Sequence, residues 1–302
     1  MNDITLRAVL VAVFGLLSLL AGEATTTTPF TGVTHITRTG ESPRKVTMHI
    51  VKIDLTAPGI AFQLTAPSGS RETTRQTTLE YLKQTKAQIA INGHFFVPYP
   101  SADREAFLVG FAAANGNVYS DFEIPEQSYA IVSNAPALNI DSNNQASIID
   151  PSTSKSVQIW NAISGSAQII TNGKPSVPIY KDSSNPGGQL TAGPAAAYSN
   201  AKSWYEVPNA RTVIGLSADN KTLFLFTVDR GQDSQGLKVS EAAALLAEEY
   251  GVANALNLDG GGSTTLAMQD PVTLESAIVN APADNPKGRS VASNLAIFAK
   301  AP

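Results

Sequence analysis

Two aspartates, each closing a short apolar run, are the residues best placed to do chemistry. Asp259 ends the run at residues 255–258 and opens the stretch DGGGSTT, which sets its carboxyl beside three successive glycines and three hydroxyls. Successive glycines lose much chain entropy on folding, so a domain keeps them where side chains cannot fit or a positive φ is needed. Exposed N–H groups in such a turn form an anion-binding concavity, to which the Ser263 hydroxyl adds a donor. Asp229 likewise follows the apolar run LFLFTV at residues 223–228. Carboxyls at neighbouring strand ends stand about 5 Å apart if the strands are adjacent and about 10 Å apart if one strand intervenes. That range covers the spacings of retaining and inverting glycosidases. The plainer alternative has Asp259 capping its own turn and Asp229 pairing with Arg230 or Arg211.

Asn92, Gly93 and His94 leave another strand end, where an amide and an imidazole can orient a sugar hydroxyl or relay a proton. The alternative is a turn followed by core aromatics, Phe95 and Phe96. Arg211 and Arg289 can supply the guanidinium fork that matches phosphate oxygens, with surface salt bridges as the competing role. No lysine follows Gly260, Gly261 and Gly262, so a Walker-type nucleotide loop is excluded. Zero cysteines exclude disulfides, thiolate metal sites and cysteine nucleophiles. The three histidines, His35, His49 and His94, are too scattered in sequence to predict a metal site. Asp233, Asp270 and Asp284 are loop acids compatible with calcium but lack EF-hand spacing. No cofactor is expected, and a metal requirement is left open.

The elements that must position these residues can be read in part. A strand at 223–228, a helix capped by Ser240 and running to Tyr250 with Gly251 as its C′ residue, and a strand at 255–258 make a βαβ crossover. Its strands should run parallel with right-handed connection, which sets Asp229 and Asp259 on one sheet edge and in one pocket. Earlier, a strand at 46–55 and a second at 60–65 form a hairpin, a threonine-capped helix covers 77–84, and a buried strand at 87–91 delivers Asn92. Residues 107–205 read as antiparallel strands and long loops, with 139–156 as a surface excursion. The expected class is α+β: a mixed β-sheet core with flanking helices and a C-terminal βαβ unit carrying the DGGGS loop.

With 302 residues, 43% of them hydrophobic and 15% charged, the chain is globular. A net charge of −4 gives no polybasic field, so neither nucleic acid nor an anionic membrane surface is an expected partner. Residues 1–24 read as a secretory signal, the run at 8–21 being short for a bilayer span, with an uncleaved anchor as the alternative. Residues 25–45 are then a linker and N-terminal segment, and 46–302 the functional domain. The expected location is secreted or periplasmic.

LNLDGGGSTTLAM, with the upstream DRG and its following helix, AINGHFF, RTVIGLS, a downstream VN and RSVASNLAIF, resembles the phosphodiester glycosidase family. The resemblance covers roughly residues 46–300. It implies hydrolysis of a sugar-1-phosphodiester to sugar and phosphomonoester. The family pattern falls on Asn92, Arg211, Asp229, Arg230, Asp259, Gly260, Gly261, Gly262, Ser263, Asn280 and Arg289, whereas His94 departs from it. On this reading Arg211, Arg289 and the glycine-loop amides hold the phosphodiester. Asp259 is nucleophile or oxocarbenium stabiliser, Asp229 activates water or orients the sugar, and the two roles can be exchanged. The alternative is an exported polysaccharide-processing or glycan-binding protein that uses the same cleft without phosphodiester cleavage.

Overall fold

A computed structural model describes residues 22–41, 44–193 and 198–302; most of the expected signal segment lies outside the described residues. An eight-stranded sheet organises the chain, in the order Ala24–Phe30, Val33–Gly40, Val46–Asp54, Thr222–Val228, Arg211–Ser217, Val252–Asn257, Ala167–Thr171 and Lys174–Pro175. A five-stranded sheet, ordered Ser276–Ile278, Leu266–Gln269, Ile89–Asn92, Asn294–Phe298 and Ala61–Leu64, packs with it. A second five-stranded sheet contains Ala112–Ala114, Asn161–Ser164, Ala137–Ile140 and Ala146–Ile149. Side chains from all three meet in one core, among them Val51, Leu225, Leu256, Ile91, Leu295 and Ile163.

Strand alternation decides what each face of the large sheet carries. Along Thr222–Val228, Leu223 and Leu225 enter the inter-sheet core, whereas Phe224, Phe226 and Val228 pack beneath the Val239–Tyr250 helix with Leu245 and Leu246. The smaller helix, Thr78–Thr85, covers the outer face of the first five-stranded sheet through Tyr81 and Leu82 against Ala90, Ala267 and Ala296. It begins at a capping box: Thr77 accepts from the Glu80 N–H, and the Glu80 carboxylate accepts from the Thr77 N–H.

Several expectations need correcting. Two α-helices are found among the described residues, so the protein is mainly β rather than α+β. The sheet is not mixed in its pairing: every pairing between the named strands is antiparallel. The crossover strands do run in the same direction, because Arg211–Ser217 lies between them and is antiparallel to both. The Val239–Tyr250 helix is capped at Lys238, whose N–H donates to Glu241 at 2.8 Å; Ser240 sits in the first turn and donates to Glu206. Gly251 closes the helix with φ 69° and an N–H bond to the Leu246 carbonyl. Within the segment expected as a linker, the threonines at 25–28 form an exposed edge strand, since β-branched residues suit a pleated surface even when polar. Within 139–156 the chain folds as a hairpin, burying Ile140, Ala146 and Ile149.

Candidate active site

The turn from Asp259 to Thr265 is held from beneath by Asn92. Its amide donates to the Asp259 carbonyl at 2.7 Å, while its Oδ1 accepts from Thr265 N–H at 3.0 Å and from the Thr212 hydroxyl at 2.9 Å. Fully buried and fully bonded, Asn92 positions the turn. Each glycine answers a different local demand. A Cβ on Gly260 would press on the Ala210 carbonyl at 2.9 Å, and Gly261 has φ +58°. A Cβ on Gly262 would collide with the tips of Asp284 and Arg289, whose ion pair lies over the turn.

The Asp259 carboxyl bonds to Ser263 and the Gly260 N–H and lies near Arg289, yet burial dominates and raises its pKa to about 6. The residue keeps some solvent exposure. Arg289 also donates to the Ser263 hydroxyl at 3.2 Å and stacks on Tyr99 with its guanidinium carbon 4.7 Å from the ring centre. Asp229 is 3% exposed. Its backbone is pinned by its N–H to Thr47 O at 2.9 Å and by the Ser234 hydroxyl to its carbonyl at 2.6 Å. Burial raises its pKa to about 6 against the opposing bonds from Asn280 and the Ala281 N–H.

Asn280 ties Asp229 to the turn that Asp259 opens. Its amide donates to Asp229 Oδ1 at 2.9 Å and to Thr264 O at 3.3 Å, and its Oδ1 accepts from Leu266 N–H at 2.7 Å. Arg230 borders the same turn: exposed, it donates to Asn209 at 3.2 Å, and the Asn209 amide lies 3.8 Å from where a Gly261 Cβ would sit. Asp229, Asp259, Ser263, Asn280, Arg289 and, at the rim, Arg230 are therefore brought together.

Arg211 and His94 are not. Arg211 pairs with Val228 in the ladder and shares its face, so its guanidinium lies on the helix side of the sheet, opposite Asp229. There it is 1% exposed, donates to the Leu237, Trp204 and Val207 carbonyls and stacks on Trp204, with burial lowering its pKa to about 10. His94 is wholly buried; its ring bonds Ser293 at 2.8 Å and Phe111 O at 3.1 Å, and burial lowers its pKa to about 4. It is a neutral core histidine. The glycine amides are also largely engaged: Gly261 N–H bonds Ala210 O at 2.8 Å and Gly260 N–H bonds Asp259. The cations, more than the turn's amides, are thus what remains to hold an anion.

Two cavities, of about 750 and 850 Å³, meet at Arg289 and Ser290. The first is lined by Arg75, Arg104, Gln76 and Tyr99; neither is lined by Asp229 or Asp259, so the one pocket expected to hold both acids is not among them. The loop acids do not gather for calcium. Asp270 caps its own turn at Val272 and Thr273, Asp284 pairs with Arg289, and no cluster of three metal-ligating side chains occurs among the described residues. One group that sequence spacing hides does reach the site: His49 Nε2 stands 4.0 Å from Asp229 Oδ2.

An antiparallel β protein with two buried carboxyls of raised pKa at one sheet edge and arginine beside them is the class that fold and site define. A family model for phosphodiester glycosidases matches residues 85–298, and the chain belongs to that family. No curated protein matches it by sequence alone. Among solved structures, the catalytic domain of zebrafish N-acetylglucosamine-1-phosphodiester alpha-N-acetylglucosaminidase, auto-inhibited by its pro-peptide, superposes with TM-score 0.63 at 18% identity, covering 92% of this chain and 88% of that one. A Synechocystis protein gives 0.63 at 15% identity over 93% and 64% of the two chains, and a Burkholderia pseudomallei protein 0.57 at 14% over 92% and 96%. Likeness at these identities establishes the shared fold.

Proposed function

We propose that the protein hydrolyses the bond between an anomeric carbon and a phosphodiester oxygen, releasing a sugar and a phosphomonoester. One observation carries this reading: two carboxyls with pKa raised to about 6 lie on one sheet edge, with Asn280 tying Asp229 to the turn that Asp259 opens and Arg289 against the same turn. A carboxyl titrating near working pH is suited to taking or giving a proton. The phosphodiester leaves as a stable anion and needs little acid assistance, so the larger demand is for charge stabilisation at the anomeric carbon and a base for water. Asp259, beside Arg289 and partly exposed, supplies the first; Asp229 supplies the second. Arg289 and Arg230 hold the phosphate.

With one strand between them, the two strand ends are about 10 Å apart, which leaves room for a water and favours direct attack with inversion. The test is incubation with a panel of sugar-1-phosphodiesters and phosphate-free glycosides, following the anomer first released by proton NMR. Release from neither class sinks the reading; release with retention reassigns Asp259 as nucleophile. Neither cavity at Arg289 is lined by Asp229 or Asp259, which is the observation favouring glycan binding without cleavage. Saturable glycan binding with no released sugar would select that alternative. We also propose export, on the strength of residues 1–24, and the intact mass of the protein from culture medium or periplasm checks it. Among the described residues no helix is long and apolar enough to cross a membrane.

A further inference from the structure

The inter-sheet face of the large sheet carries an unusual run of polar groups at one end: His35 and Thr37 on Val33–Gly40, His49 on Val46–Asp54, and Thr227 on Thr222–Val228, leading to Asp229. His49 is 4% exposed and His35 partly exposed. Their rings are nearly coplanar, 20° apart, with His35 Nε2 3.1 Å from His49 Nδ1. The other His49 nitrogen faces Asp229 Oδ2 at 4.0 Å, the oxygen not bonded to Asn280. Three groups therefore lie in line from the buried acid towards solvent. Burying the His49 imidazole costs hydration.

We propose that His49 and His35 form a proton path that drains Asp229 to solvent during turnover. The inference rests on the hydrolytic reading above, and a chemical balance motivates it. When Asp229 takes a proton from the attacking water, a phosphate leaving group does not take it back, and the product monoester, with a second pKa near 6, itself ionises at neutral pH. The proton must leave while sugar and phosphate occupy the front of the site.

The step balances without a charged ring. The Asp229 Oδ2–H proton passes to His49 Nε2, the His49 Nδ1 proton passes to His35 Nε2, and the His35 Nδ1 proton goes to water; three bonds to hydrogen break and three form. Proton exchange with water, each ring losing its Nε2 proton and regaining one at Nδ1, restores the starting tautomers. Concerted passage suits this environment, since burial and the neighbouring His35 lower the His49 pKa to about 4 and disfavour a standing imidazolium. The titratable groups facing His49 are His35 from one neighbouring strand and Asp229 from the other; Thr37 Oγ1, 3.4 Å from Nδ1, adds a hydroxyl. Thr227, the cross-strand partner of His49, has a buried Oγ1 without a hydrogen-bond partner, a hydroxyl that can assist across the 4.0 Å gap. His49 and His35 are positioning residues here, acting on substrate only through Asp229.

The experiment compares wild type with His49→Gln, His35→Gln and His49→Ala. Both glutamine variants should lose kcat roughly ten-fold at unchanged KM, less than the roughly 10²–10⁴-fold of groups that exchange protons with substrate directly. Millimolar imidazole should restore His49→Ala towards wild type with a pH dependence that follows imidazole's own ionisation. Unchanged kcat in both glutamine variants, or a loss that imidazole does not touch, overturns the path. If wild type cleaves no sugar phosphodiester, the hydrolytic reading fails, but the path is still read by nitrogen-15 NMR. The ring nitrogens of His49 and His35 should both sense the titration of Asp229 near pH 6, and Asp229→Asn should abolish that inflection. Rings blind to it overturn the inference whatever the substrate.

Discussion

Arg211 and Arg289 look alike in sequence as candidate phosphate ligands, and the structure gives them opposite environments. Arg211 is sealed on the helix face, its guanidinium satisfied by backbone carbonyls and an indole ring; Arg289 lies across the glycine turn with its charge shared between Ser263, Asp284 and Tyr99. What separates them is strand parity. The residue after Arg211, Thr212, faces Asn92 and the turn at 2.9 Å, so a shift of one position would exchange the two environments. A motif residue can thus serve a site by holding its scaffold from the far side of the sheet.

The sharpest way to break this contrast is to remove charge from each face. Asp259→Asn keeps the shape of the turn and should lower kcat by roughly 10³-fold or more without loss of stability. Normal turnover in that folded variant would take Asp259 out of the reaction. Arg211→Met should do the reverse, costing about 3–5 kcal/mol because carbonyls at Leu237, Trp204 and Val207 lose a buried partner. Urea melts measure this, and a stable but inactive Arg211→Met would return that arginine to the site.

Asp229 tests the same contrast through pH. Its folded pKa, about 6, lies above the usual carboxylate value of 3.8, so the native state holds the proton more tightly than the unfolded chain. Stability should therefore fall as pH rises from about 4 through 6, by up to roughly 3 kcal/mol from this group. Asp229→Asn should reduce that decline, leaving the part due to Asp259, and be the more stable protein at pH 8 while losing activity. Denaturant midpoints at pH 5 and pH 8 check it; an equal decline in both proteins would place the cost elsewhere.

Arg289→Lys should raise KM about ten-fold for phosphate-bearing substrates and little for phosphate-free glycosides, because an ammonium cannot reproduce the fork. Equal losses on both would make Arg289 a scaffold residue like Arg211. Smallest is Gly261→Ala, for which φ +58° sets a cost of about 1 kcal/mol, seen as a drop of a few degrees in Tm. No measurable change would mean that the turn relaxes.

Much of this arrangement is legible before any coordinates. The apolar run before Asp229, the helix closed by Gly251 and the run before Asp259 are local signals, and they suffice to set both acids at one sheet edge. What they cannot reveal is the partner between them, since the pairing of Arg211–Ser217 with both strands is a long-range event that no local propensity encodes. The burial of Arg211 had a readable signal: alternation places it with Val213 and Phe226, on the helix side. Asn280 is visible only through family resemblance, because its bonds to Asp229 and Thr264 span 51 and 16 residues. His49 lies 14 residues from His35 and 180 from Asp229, so its place beside both follows from strand register alone.

The ion pair over Gly262 has a consequence for ligand recognition. Asp284 presents to Arg289 the same kind of oxygen that a phosphate would, and it is tethered five residues away, at the high effective concentration of a short loop. Any incoming anion therefore competes with an internal carboxylate, and its apparent affinity is discounted by that competition. A dianionic monoester should displace Asp284 more readily than a monoanionic diester does, so in the proposed reaction the phosphate product is expected to inhibit at this site.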